Sequence, residues 1–320
     1  MKYTLRSSAV TVHWGYFDPA LDPVLKVRSG DTVEVYTISS VCMNSELIDF
    51  LGIEDKIPKE VKEIDQAVKE RGPGRSILLG PIYVEEATTA DTLEVALLEI
   101  EPWVDFGINT FYQGGGSIPE DFPYLRARYI PIDRERMLGI FSEVKIPLRP
   151  FFGQLGVAPS IRPGRISNGP PGPHGGNMDN KELVASSKVY LPIHTNGALF
   201  SVGDGHSTQG DGEVDQAAME TCMRGLLKFR VIKGVRIRWP MAETKEHFIV
   251  MGFHPDLDEA LKMAVRNTVD FFVSKGINRD DGYMFCSLAV DFHITQVVDG
   301  VKGVHAMIPK YLLPRIRSVV

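Results

Sequence analysis

The chain has 320 residues, 43% of them hydrophobic and 24% charged, with a formal net charge of −6. That composition describes a soluble globular protein long enough for one large domain or two intimately packed lobes. An acidic balance without a Lys/Arg cluster argues against nucleic acid or an anionic membrane as partner.

The N-terminus, MKYTLRSSAVTVHW, has no apolar core of the secretory kind, and no apolar run is long enough to span a bilayer. Cys42, Cys222 and Cys286 are far apart and form no CxxC pair, which speaks against a disulfide framework or a thiolate zinc site. A cytoplasmic location is expected.

The first two thirds read as β. Pro23 to Ser39 has two β-branched runs around a Ser29–Asp31 turn, and Thr32 to Ile38 alternates like a half-buried strand. Further strands are expected at Thr92 to Ile100 and Lys188 to Ile193. Glu54 to Glu70 reads as either a short amphipathic helix or an insertion. Proline and glycine leave no room for a helix between Pro147 and Gly176.

In the last third, Asp256 is placed as an N-cap, with Glu259 completing a capping box. Leu257, Leu261, Ala264, Val265, Thr268 and Phe272 then share one helical face, and Gly276 is placed to end the helix. A second helix is predicted from Asp281 to about Ala289. The expected architecture is mainly β with a smaller α/β portion. It forms a single interlocked unit over 1–320, with tentative lobes at 1–200 (β-rich) and 201–320 (α/β).

Chemistry concentrates in two stretches. GDGHSTQGDGE, Gly203 to Glu213, packs Asp204, His206, Gln209, Asp211 and Glu213 among four glycines, a pattern that excludes a helix and permits a bent loop. Carboxylates and imidazole on such a loop can hold a divalent cation or move protons. PPGPHGGNMDN, Pro170 to Asn180, adds His174, Asn177 and Asp179. The two stretches, separated by one predicted strand, could meet at one end of a β-structure. Each also reads as an ordinary polar turn. His13 beside Trp14 reads first as a packed histidine, and Cys222 as a core residue. Ser186-Ser187-Lys188 lacks the Gly/Ser-rich surroundings of serine-serine-lysine amidases. No dinucleotide or Walker motif is present.

HGGNMDN, GALFSVGDGH and QGDGE together resemble the acetamidase/formamidase family. The similarity runs through most of the chain, including TVHWGYFD, LKVRSGDTV, GPIYVEEATTADTLEV, IPLRPFFGQLGVAP and DGYMFCSLAVDF. The resemblance implies an interlocked β-sandwich or barrel, hydrolysis of short aliphatic amides to carboxylate and ammonia, a divalent metal in some members, and homodimers or higher homo-oligomers.

Unactivated amides resist hydrolysis, and a metal-activated water overcomes this. On that scheme Asp179, Asp204 and His206 are the expected metal ligands, with His174 in reserve, and zinc is expected ahead of calcium. Glu213 is expected as general base, with His206 also in the catalytic set. Asn177 or Gln209 would hold the amide, with His13 as a further candidate. The alternatives left open are a non-catalytic, metal-stabilised β-protein that binds a small ligand, and a metal-dependent oxygenase.

Overall fold

The computed structural model describes residues 1–313 and 320. Strand accounts for 39% of the chain and helix for 16%, so the protein is mainly β. The helix content gathers at Ser45–Leu51, Lys59–Ala67, Leu257–Ser274 and Arg279–Leu288.

Two large sheets carry the fold. In the nine-stranded sheet the order is Lys2–Arg6, Thr32–Tyr36, Met223–Ile232, Thr92–Pro102, Lys188–Pro192, Met241–Glu243, His247–His254, Lys302–Pro309, Asp291–Gln296. It therefore takes strands from both sides of residue 200. The eleven-stranded sheet is centred on Phe200–His206, which lies beside Phe151–Gly156, Ile77–Val84 and Glu220–Thr221. The runs flanking the Ser29–Asp31 turn enter different sheets. Leu25–Val27 pairs with Ile77–Val84, and Thr32–Tyr36 pairs with Met223–Ile232. Crossings of this kind interlock the molecule.

Alternation along Thr32–Tyr36 buries Val33 and Val35 and leaves their neighbours half-exposed, as the sequence predicts. These valines, with Val95, Leu227 and Phe229, meet Phe152, Leu155, Phe200 and Val202 of the other sheet in one core. The rings of Phe200 and Phe229 close the layer edge to face at 5.2 Å.

The long C-terminal helix starts where expected: the Asp256 side chain accepts from the Glu259 N–H at 3.0 Å. The reciprocal half of the capping box is not made, because Glu259 pairs with Lys262 and the Asp256 N–H donates to His254. The buried stripe is also rotated from the predicted one, running through Ala260, Ala264, Thr268 and Phe272 with Leu261 40% exposed. Small residues face the sheet because the helix lies very close to Gly252 of the strand below it. Gly276, at φ +85°, ends the helix as expected. The second helix begins slightly early, at Arg279. Within the undecided stretch 54–70, Lys59–Ala67 is helical and buries Val61 and Ile64. No helix among the described residues is long and apolar enough to cross a membrane.

Candidate functional site

The first half of the glycine-rich stretch is a strand rather than a bent loop. Phe200–His206 is paired on both sides, and only from Ser207 does the chain turn. The glycines permit close approach: a Cβ on Gly203 would lie 2.4 Å from the Ile77 carbonyl oxygen, and one on Gly205 would lie 2.7 Å from that of Thr221. The second stretch is likewise partly ordered, with Gly175–Asn177 pairing at the sheet edge with Gln154–Gly156. This edge pairing brings Asp179 alongside Asp204 and His206.

His206 is the hub. Its Nε2 lies 3.2 Å from Glu220 and 3.7 Å from Asp204, and its Nδ1 lies 3.8 Å from Asp179. Nδ1 also meets Gln209 Oε1 at 2.9 Å, while Gln209 Nε2 donates to the Asp179 backbone carbonyl at 2.9 Å. Ligand atoms of Asp179, Asp204 and His206 lie within 4.8 Å of one another, as do those of His206, Glu213 and Glu220, and of Asp179, Glu213 and Asp299. Asp179, Asp204 and Glu213 all adopt positive φ (46°, 59° and 46°), which ordinary side chains tolerate poorly.

Five carboxylates thus surround one imidazole. Burial first, and then the neighbouring acids, pushes Asp179 and Glu213 well above the usual carboxylate range. Burial likewise raises Glu220, and Asp299 to about 7. Burial opposes a charged His206, but Glu220 and Asp204 outweigh it and hold its proton far above the ordinary value. Asp179 Oδ1 is buried without a hydrogen-bond partner, as are both polar atoms of the Gln154 amide and Oδ1 of Asn177. So many desolvated acids remain ionised only if something positive joins them. The donor set, hard oxygens with one imidazole, suits a divalent cation.

These groups line a pocket of about 370 Å³, together with Ser40, Ser76, Tyr112 and Gln216. Arg75 stands at its wall with its guanidinium 4.4 Å from the Tyr112 ring.

The structure therefore brings together Asn177, Asp179, Asp204, His206 and Glu213. It places Gln209 behind His206, where it braces the cluster, and not on the pocket wall. His13 and His174 stay outside the cluster. His13 Nε2 bonds Ser201 Oγ at 2.9 Å, and His174 packs edge-on to Phe17 at 4.9 Å, because each sits on a segment whose side chain turns into the core. Ser187 and Lys188 are engaged elsewhere, with Val184 and Glu243. Sequence reasoning missed Gln154, Glu220 and Asp299. The last is signalled only by an acid at the Val298-Asp299-Gly300 hairpin tip between apolar strands.

Known proteins resemble this chain in sequence and in fold. Residues 163–313 match the acetamidase/formamidase family. The chain is 26% identical to a formamidase of Methylophilus methylotrophus, over 69% of this chain and 73% of that protein. A crystal structure described as a predicted acetamidase/formamidase from the thermophile Thermoanaerobacter tengcongensis superposes with a TM-score of 0.84 at 30% identity, covering 98% of this chain and 97% of that one. An acetamidase from Bacillus halodurans gives 0.83 at 27% identity, covering 98% and 100%.

Proposed function

Since the chain belongs to the acetamidase/formamidase family, we propose that it hydrolyses short aliphatic amides to a carboxylate and ammonia. The observation that carries this reading is the cluster of buried Asp179 and His206 with half-buried Asp204, in which Asp179 Oδ1 has no hydrogen-bond partner, directly beside Glu213 in a polar pocket. Asp179, Asp204 and His206 would hold a divalent cation, zinc first by the chemistry of the donors. When bound, such a cation supplies an acidified water and a Lewis acid for the amide carbonyl.

The chain's own groups do the rest. Glu213 takes the proton from the attacking water as the new C–O bond forms. It returns that proton to the nitrogen as the C–N bond breaks, so ammonia leaves neutral. Burial raises its proton affinity above that of a free carboxylate, which favours a group that holds a proton between taking it and giving it back. The side-chain amides of Asn177 and Gln154 face the same pocket and can donate N–H groups to the carbonyl oxygen as it gains charge. Gln209 keeps His206 and the Asp179 backbone in register.

The test is ammonia release from formamide, acetamide and propionamide by wild type and Glu213→Gln, before and after chelation. Expected are release that falls on chelation and returns with zinc, and a variant that retains metal but loses most turnover. No release from any amide with metal present overturns the hydrolase reading, and full turnover in Glu213→Gln overturns the base.

A further inference from the structure

A second group of ligands lies apart from the pocket. His293, on Asp291–Gln296, and His305, on Lys302–Pro309, are direct cross-strand partners. Their rings stack at 5.3 Å with 16° between planes. Cross-strand partners project from the same sheet face, so both imidazoles serve one space. Asp211 reaches it from the glycine-rich stretch, with its Oδ2 at 2.9 Å from His293 Nδ1. Ligand atoms of all three lie within 4.8 Å of one another, and none of the three belongs to the pocket cluster.

The decisive detail is His305. It is fully buried, its Nδ1 is taken by Thr295 Oγ1 at 2.7 Å, and its Nε2 has no partner. If Nδ1–H donates to the threonine, Nε2 presents a bare lone pair; the other tautomer would bury an unpaired N–H at greater cost. A ring nitrogen fixed by a hydroxyl while the other stands free is how a metal-binding histidine is prepared. Lys181 Nζ, also 2.9 Å from Asp211 Oδ2, supplies a positive charge there that a metal would displace.

We propose that Asp211, His293 and His305 form a second divalent-metal site. Two imidazoles and one carboxylate select a cation of the zinc class over calcium or magnesium. Its place in the chain gives it a purpose. Asp211 is two residues from Glu213, and His293 and His305 flank the hairpin whose tip carries Asp299. The site fastens these two arms of the pocket together, where a parallel bridge between Gly212 and Gln296 already joins them.

Whole protein is stripped with a chelator, titrated with zinc chloride or cobalt(II) chloride, and its bound metal counted by elemental analysis. His293→Ala should bind one fewer ion per chain than wild type. It should also lose the part of the zinc-induced rise in Tm that wild type shows, and still release ammonia when metal is saturating. Asp204→Asn should keep the ion that His293→Ala loses, which separates this site from the pocket. Equal metal content in wild type and His293→Ala overturns the proposal, whatever becomes of the pocket metal. Should His293→Ala fail to fold, Asp211→Asn is judged by the same count.

Discussion

A Cβ on Gly153 would stand 2.4 Å from Oδ1 of Asp179. The strand Phe151–Gly156 thus forms the floor of the acid cluster, and its missing side chain is the space the carboxylate occupies. The same methyl would meet His206 Cε1 at 2.8 Å. Gly153→Ala should therefore displace both groups by a fraction of an ångström or more. We expect kcat/KM for amide hydrolysis to fall roughly 100-fold with the far-UV circular dichroism unchanged. Turnover close to wild type would show that neither group needs its observed position.

Gln209 connects two segments that the chain places thirty residues apart, through His206 Nδ1 and the Asp179 carbonyl. Gln209→Leu keeps the approximate volume and removes both bonds. The expected loss in metal affinity or kcat is about 10- to 100-fold, typical of a group that orients a ligand without touching substrate. Wild-type values in both measurements would reduce Gln209 to a spectator.

His13 contributes a pH dependence of known sign. Burial lowers its pKa to about 4, against 6.5 for the free side chain. Below pH 6.5 the unfolded chain takes up a proton that the folded chain refuses, so stability drains away as pH falls from about 6.5 to about 4 and levels off below. At full extent this amounts to about 3 kcal/mol. Urea unfolding of wild type and His13→Gln at several pH values should show a shallower acid slope in the variant. Identical slopes would mean that His13 is protonated in the native state as easily as in the unfolded one.

Gly252 is a stability position. A Cβ there would lie 2.4 Å from the backbone N of Ala264 and 2.6 Å from the Ala260 carbonyl oxygen. Gly252→Ala should push the helix Leu257–Ser274 off its strand, at a cost of about 1–3 kcal/mol. Tm should drop while turnover measured well below it holds, since the helix lies outside the pocket. An unchanged Tm would show that the helix shifts freely.

How much was legible in the sequence follows from which signals are local. Thr32–Tyr36 and the cap at Asp256 are set by neighbours in the chain, and both appear as read. The strand character of Gly203–His206 was hidden, because its glycines answer to carbonyls of Ile77 and Thr221 far along the chain. Ligand-rich stretches announced Asp179, Asp204, His206 and Glu213. Glu220 and Asp299 carry no such surroundings and join the cluster only because strands from distant parts of the sequence converge. The same long-range packing draws His174 inward, though its ligand-rich stretch made it a reserve ligand, while His13 is packed and hydrogen-bonded as its place beside Trp14 first suggests.

Asp179, Asp204 and Glu213 each sit in a backbone conformation that an isolated peptide would leave at once, at a cost of order 1–3 kcal/mol apiece. The stretch 203–213 is therefore not a portable module. Synthesised alone or grafted onto a foreign loop, it would keep every donor atom and lose their convergence. Whatever chemistry resides here belongs to the two sheets that hold these acids in place, and it should vanish as soon as their grip slackens, before the rest of the protein unfolds.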